Sequence, residues 1–389
     1  MKHYDVAVVG AGLAGLQCAR MLGQRGVRVI LIDRKKELTA SIHTTGIFVR
    51  QTLEDFDLPE HLLGVPVRHV VLYSPARRAL HLESEHDEFR VGRMGPLYAH
   101  YLEDAMRSGV KWAPATRYLG CEQAGENMLI HLGGEGGTQT IKARYLVGAD
   151  GARSRIARDL DLDENREWIV GVEEVLRNVP LNGAPSFQCF LDPKLAPGYL
   201  AWVVNDGEEA HVGVGGYAAR FEPLGALEAF KHSLNRTIDL SGATLIEKRG
   251  GLIPVGGVLR RIATERGLLI GDAAGAVSPL TAGGLDPCLR LSSLAARVIA
   301  NYLESGDREA LAPYAGEKFR ARFVSRLWMR RTLAAVRDPA LIELACAAMR
   351  LPLLKSLARH VFFGRGSFPK TTLPPAPVMA SQSKVFPMA

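Results

Sequence analysis

The chain has 389 residues, 47% of them hydrophobic and 23% charged, an ordinary globular composition with room for two or three domains that excludes a disordered or fibrous class. A formal charge of +7 suits an anionic ligand, a membrane surface or nucleic acid and does not choose among them. Five cysteines without a C-x-x-C pair argue against a disulfide framework or a zinc site, so no metal is expected and a reducing cytosol fits.

In chain order, Tyr4 to Val9 predicts a strand, Gly10 to Gly15 a turn, Leu16 to Gly26 a helix and Val27 to Ile32 a second strand, together one βαβ unit. Because the chain opens on a strand, no secretory signal is expected, and no apolar run approaches the roughly 18 residues that a spanning helix needs. Glu54 to Gly64 reads as a short helix and loop, Val67 to Leu82 and Glu88 to Val91 as strands, and Tyr98 to Ser108 as an amphipathic helix. Strand signals recur from Thr116 to Leu146, and Tyr145 to Val147 returns the chain to the first sheet. Residues 165–262 are strand-rich and aromatic; Gly267 to Ile270 predicts a buried strand and Leu285 to Leu303 a long helix. Helical patterning continues to about Phe363, ahead of a proline-rich tail. The expected class is α/β. A Rossmann-type nucleotide domain (1–65, 99–164 and 263–305) carries an inserted antiparallel β-sheet substrate domain (66–98 and 165–262), a basic helical region (306–365) and the tail (366–389).

The turn Gly10, Gly12, Gly15 follows a strand, opens a helix, and is followed by Asp33 at the end of the second strand, which makes it a dinucleotide motif rather than a chance glycine pattern. Gly10 serves the tight turn, Gly12 lets backbone approach a pyrophosphate and Gly15 allows close helix packing. The helix start at Leu13 and Ala14 offers free N–H groups to phosphate, and Asp33, with Arg34 beside it, suits a ribose. This chemistry alone does not separate FAD from NAD.

Two further segments carry a family resemblance. Gly148-Ala149-Asp150-Gly151-Ala152-Arg153-Ser154 resembles the G-A-D-G-x-x-S motif of flavoprotein reductases and hydroxylases. Gly271-Asp272-Ala273-Ala274-Gly275, followed by Ser278-Pro279-Leu280-Thr281 and Gly283-Gly284-Leu285, resembles the corresponding segment of the geranylgeranyl reductase family. Aromatic hydroxylases more often place His where Gly275 stands. The resemblance covers most of residues 1–305 and implies FAD, with Asp272 on a ribityl hydroxyl and the amides of Gly284 and Leu285 at the pyrimidine edge. It also implies an FAD contact for Arg93, and backbone contacts to the flavin from Thr44 and Gly46 in the segment His43-Thr44-Thr45-Gly46-Ile47. The family's cysteine is here His43, a candidate for proton transfer beside its ordinary packing role.

On the substrate side, the family's Tyr-x-Trp-x-Phe-Pro motif is partly kept as Leu200-Ala201-Trp202-Val203-Val204-Asn205, with Tyr199 one residue earlier. Tyr199, Trp202 and Asn205 are therefore expected at the substrate, and Asn205 would favour a polar group near the reacting carbon. With a single dinucleotide motif, NAD(P)H is expected as a transient reductant, or an electron-carrier protein in its place. Residues 316–365 hold eleven Lys and Arg against three acidic residues, interleaved with apolar side chains. That pattern fits a solvated helical face or peripheral contact at the inner membrane surface of a cytoplasmic protein; nucleic acid is not expected, since no recognised module accompanies the charge.

The resemblance implies an FAD-dependent oxidoreductase that reduces a carbon–carbon double bond of an isoprenoid or other apolar substrate by hydride transfer from reduced flavin. The alternatives are an FAD-dependent monooxygenase of a small or lipophilic substrate, and a flavin carrier or sensor without turnover.

Overall fold

The computed structural model describes residues 1–180, 183–234 and 238–364. The sequence-predicted tail lies outside the described residues.

The first strand, His3–Val9, is Val- and Ala-rich with its second half fully buried, as a strand covered on both faces must be. It runs parallel to Val29–Ile32 on one side and to the end of Gly137–Gly148 on the other. Lys111–Ala113 adds in parallel beyond Val29–Ile32, and Gly267–Leu269 pairs in parallel with the last residues of Gly137–Gly148. The first half of that long strand pairs antiparallel with Asn127–Gly134, which pairs with Arg117–Ala124. One strand therefore joins a parallel nucleotide sheet to an antiparallel flap. Helices Leu13–Gly23 and Leu285–Ser305 pack together against this sheet, tied by Gln17 Nε2 donating to Ser293 Oγ at 3.0 Å.

The second sheet has the order Thr244–Pro254, Trp168–Arg177, Ala210–Gly216, Ala201–Asn205, Ser186–Phe190, His69–Tyr73, Ala79–Glu83. It differs from the expected antiparallel sheet at one joint. Ser186–Phe190 and His69–Tyr73 run parallel, because the hairpin from the first insertion adds to the edge of the sheet from the second. Helix Pro223–Leu234, which the strand-rich reading of this region does not predict, packs Leu227, Phe230 and Leu234 on Val203, Val212 and Val214.

The basic C-terminal region is not a separate module. Helices Val324–Ala335, Pro339–Ala348 and Pro352–Phe363 close over the gap between the two sheets, with Ala358, Met349, Phe362 and Phe363 packed on the cluster of Leu72, Leu80, Leu82 and Cys189. Among the described residues, no helix is long and apolar enough to cross a membrane.

Candidate cofactor and substrate site

Gly10 has φ +104°, and a Cβ there would lie 2.1 Å from the Ala149 carbonyl oxygen. A Cβ at Gly15 would lie 1.8 Å from the Gly10 oxygen, so this glycine is needed for packing and does not itself line the cavity. Gly12 is different. It lines the cavity and a Cβ there would meet nothing within 4 Å, so protein packing leaves that space free. Helix Leu13–Gly23 starts without a side-chain cap at Gly12, with Leu13, whose backbone hydrogen-bonds Tyr98, and Ala14 on the cavity wall, so the helix start offers N–H donors to a ligand. Asp33 accepts from Ala11 N at 2.6 Å and from Lys35 N at 2.8 Å, so it shapes the glycine turn as well as lining the cavity beside Arg34.

The opposite wall is the turn Gly271–Ala274, closed by Gly275 in the left-handed conformation at φ +68°. A Cβ at Gly275 would meet the Gly257 oxygen at 2.6 Å, which gives a physical reason why His does not stand here. Asp272 lines the cavity, and among the described residues no donor binds its carboxylate; burial pushes that carboxyl up to about 6. Gly284 and Leu285 begin the helix Leu285–Ser305, again without a side-chain cap, and line the same wall. Asp150 accepts from Ser154 Oγ at 2.6 Å and Arg155 N at 2.8 Å, while Ser154 caps the next helix through Ala157 N. The second glycine motif is thus a capping structure that holds one side of the cavity.

The third wall is polar in a way that sequence reasoning missed. His43, Thr44, Thr45 and Gly46 line it; His43 Nδ1 donates to the Gly250 oxygen at 2.7 Å, leaving Nε2 as the unbound nitrogen. Behind the loop, buried Glu173 accepts from Thr45 Oγ1 at 2.5 Å and from Trp202 Nε1 at 2.7 Å. Arg249 stands 3.5 Å from Glu173 and donates to the Thr44 and Thr45 oxygens. A lone glutamate in a strand and an arginine about 75 residues away carry no spacing signal; only the pairing of Trp168–Arg177 with Thr244–Pro254 brings them together. Arg50 also lines the cavity; it pairs with Glu88 at 3.5 Å and Glu54 at 3.9 Å, and among the described residues its buried Nε and Nη1 make no hydrogen bond.

Tyr199 and Trp202 reach the cavity, and Tyr199 Oη donates to the Thr281 oxygen at 2.7 Å. Arg93 and Asn205 do not. Arg93 is held by carboxylates, donating to Glu209 at 3.0 Å and Glu208 at 2.6 Å with Asp206 at 3.4 Å, so its charge is already neutralised away from the cavity. Asn205 is buried and its Oδ1 accepts from Gly207 N at 2.9 Å, which makes it a turn residue. Near Arg93, the side chains of Asp206, Glu209 and His211 bring potential ligand atoms within 4.8 Å of one another, but Arg93 and Arg177 pair with these carboxylates.

All these walls enclose one cavity of about 1340 Å³. That exceeds the ~300 to 1000 Å³ of an ordinary single-ligand pocket and leaves room for a dinucleotide and a second ligand. The family model described as FAD binding domain matches residues 3–330. The chain belongs to that family. Digeranylgeranylglycerophospholipid reductase of Methanocaldococcus jannaschii is 28% identical over 355 residues, covering 88% of this chain and 90% of its own. Among solved structures, a geranylgeranyl bacteriochlorophyll reductase-like protein of Thermoplasma acidophilum shares the fold with a TM-score of 0.79 at 22% identity, over 88% of this chain and 91% of its own. The p-nitrophenol 4-monooxygenase of Pseudomonas putida gives 0.71 at 17% identity, over 94% and 100%.

This flavoprotein is an FAD-dependent oxidoreductase, and its sequence is similar to those of digeranylgeranylglycerophospholipid reductases. Its residues fit FAD on two counts: the empty Cβ position at Gly12 and, among the described residues, the donor-free carboxylate of Asp272. We propose Asp33 as a ribose acceptor, and Asp33→Ala is expected to weaken FAD by ~1.5 to 3 kcal/mol through lost charged hydrogen bonds. Fluorescence titration of FAD into the stripped protein measures this; an unchanged affinity would leave Asp33 as a turn residue only.

Proposed function

We propose that this flavoprotein reduces carbon–carbon double bonds in the isoprenoid chain of a lipid. Bound and reduced, FAD supplies the hydride that such a reduction needs. The observation that carries the reading is the continuity of the cavity, from the glycine turn past His43 and Trp202 into an apolar chamber lined by Leu72, Phe187, Leu333, Ile342, Met349 and Phe362. A chamber of that lining excludes water and takes a hydrocarbon chain by burial, at about 0.8 kcal/mol per CH₂ group. The aromatic pair of half-buried Tyr199 and buried Trp202, with ring centroids 6.4 Å apart, forms the side of the chamber nearest the polar wall. The relatives named as digeranylgeranylglycerophospholipid reductases support an isoprenoid lipid over a small aromatic substrate. With Asn205 away from the cavity, the argument for a polar group near the reacting carbon no longer applies.

Ala345 tests the reading: it lines the cavity yet stays exposed, so a larger ring narrows the chamber without overpacking a core. Ala345→Phe is expected to lower kcat/KM for a long prenyl substrate about tenfold, a cost of ~1.4 kcal/mol, with FAD affinity unchanged. Equal activity on long and short chains would place the substrate elsewhere.

The reductant is taken to be NAD(P)H or an electron-carrier protein that visits the site, since the described residues form one glycine-motif nucleotide turn. The C-terminal helices are read as the membrane-facing side. They combine the basic excess with exposed Trp328, Leu341, Leu344, Leu351, Leu353 and Leu357, Leu353 being 82% exposed, and they border the apolar chamber. Replacing both Leu353 and Leu357 by Glu is expected to abolish co-sedimentation with anionic vesicles while FAD content stays constant. Binding that survives the change would leave these helices as a solvated face.

A further inference from the structure

The polar wall leads somewhere. Behind Glu173, His211 is 1% exposed, with Nδ1 3.5 Å from Glu173 Oε1 and Nε2 3.2 Å from Asp206 Oδ2. Nδ1 has no well-formed hydrogen bond, so its proton is the least restrained in the cluster. Thr45 and Glu173 both line the cavity, and the Thr45 hydroxyl donates to Glu173 Oε2 at 2.5 Å. Cavity, hydroxyl, carboxylate, imidazole and a second carboxylate therefore stand in series, in a protein whose reaction as read above must place a proton on carbon. We propose that Thr45, Glu173 and His211 form the proton-delivery chain of the site, passing a proton held on His211 through Glu173 to the Thr45 hydroxyl and from there to the substrate.

This rests on the double-bond reduction proposed above. In the balanced step, a hydride, which carries both electrons of the reduction, would pass from reduced FAD to one carbon of the double bond. The C–H bond at the other carbon forms with the proton of Thr45 Oγ1, whose O–H bond breaks. Thr45 regains a proton from Glu173, and Glu173 takes the one on His211 Nδ1. His211 ends neutral and one proton from solvent restores it.

The surrounding charges support a proton stored on His211. Burial alone would depress the imidazole, but Asp206 and Glu173 overrule it and raise it to about 9. Glu173 faces Arg249 and His211 as well as the neutral Thr45 and Trp202; burial raises its carboxyl, and the imidazolium and Arg249 bring it below the ordinary value. Asp206 faces His211 and Arg93, Arg93 also faces Glu208 and Glu209, and Arg249 also faces Glu247. Glu173 thus stays ionised at rest and is only the conduit.

The alternative donor is His43, whose Nε2 is unbound. Thr45→Val is nearly isosteric and removes the hydroxyl alone, avoiding the buried unpaired charge that Glu173→Gln would leave. In the FAD-loaded enzyme, Thr45→Val is expected to slow prenyl reduction about 100-fold or more. It should also remove the loss of rate on the alkaline side near pH 9, with the rate of flavin reduction by dithionite unchanged. Thr45→Ser should recover most of that loss. A second readout needs no substrate: in the flavin-free protein, nitrogen NMR of His211 should show it protonated up to about pH 9, and Glu173→Gln should move that midpoint down. A wild-type midpoint at the ordinary histidine value overturns the proposal. So does a Thr45→Val enzyme with wild-type rate and pH profile, or a loss confined to His43→Ala. A wild-type enzyme that reduces no prenyl double bond sinks the functional reading instead, and the His211 midpoint then still decides whether the proton store exists.

Discussion

A Gly10→Ala protein is expected to lose FAD and to fold poorly, whereas Gly12→Ala should fold normally and lose FAD alone. Both glycines belong to one motif, yet their surroundings differ. At Gly10 an added methyl lies 2.1 Å from the Ala149 oxygen and the backbone is left-handed at φ +104°. Overlap with fixed backbone costs ~1 to 3 kcal/mol and the left-handed conformation ~1 to 2 more, a large share of a domain's whole stability. At Gly12 the methyl meets nothing of the protein, and the space it fills is where the nucleotide would approach. Thermal unfolding of the two flavin-free proteins, alongside FAD titration, separates the effects. Equal melting temperatures for both variants would contradict the packing argument, and undiminished FAD affinity in Gly12→Ala would move the phosphate site off this turn.

The second large effect belongs to Asp272, and its sign reverses with the cofactor. Burial raises the folded carboxyl to about 6, while the unfolded chain returns it to about 3.9. Between those values the folded protein keeps a proton that the unfolded chain has released. The flavin-free fold therefore loses stability as pH rises from about 4 to about 6, and carries the penalty at every higher pH. At ~1.4 kcal/mol per pKa unit, reduced because the residue is part-exposed to the cavity, the penalty is ~1 to 3 kcal/mol. Asp272→Asn removes it, so the flavin-free variant should melt above wild type at pH 8 and level with it at pH 4. FAD binding should move the other way. A ribityl hydroxyl donating to Asp272 favours the ionised form, so wild-type affinity should fall as pH drops through 6, and the Asn variant should bind FAD weaker by ~1.5 to 3 kcal/mol at pH 8. A variant that is destabilised without flavin at pH 8 would show that Asp272 serves the fold rather than the ligand.

Much of this site was legible because its motifs act through backbone. Gly10, Gly12, Gly15 and Gly275 stand where only a particular conformation or approach is tolerated, and such positions leave a mark in a linear sequence. Side chains that act through tertiary partners leave none. Arg93 is expected at FAD from its place after a short strand, yet Asp206, Glu208 and Glu209 come from a turn between two strands more than a hundred residues later and hold it. Asn205 was expected at the substrate from a motif position, but its own turn claims its oxygen. Glu173, Arg249 and Arg50 gave no sequence signal, because each acquires its role only when strands or loops far apart in the chain come together. The helix Pro223–Leu234 was missed because its short apolar face is embedded among strand-forming segments.

Anaerobic reoxidation separates reduction of an isoprenoid double bond from oxygen chemistry. The purified FAD-loaded protein is reduced without oxygen and mixed with a lipid bearing geranylgeranyl chains, while flavin absorbance and product mass are followed together. Absorbance is expected to return without oxygen, with the lipid gaining two hydrogens for each flavin reoxidised. A flavin that stays reduced until oxygen is admitted, with the product then carrying an added oxygen atom, would contradict double-bond reduction and identify a monooxygenase.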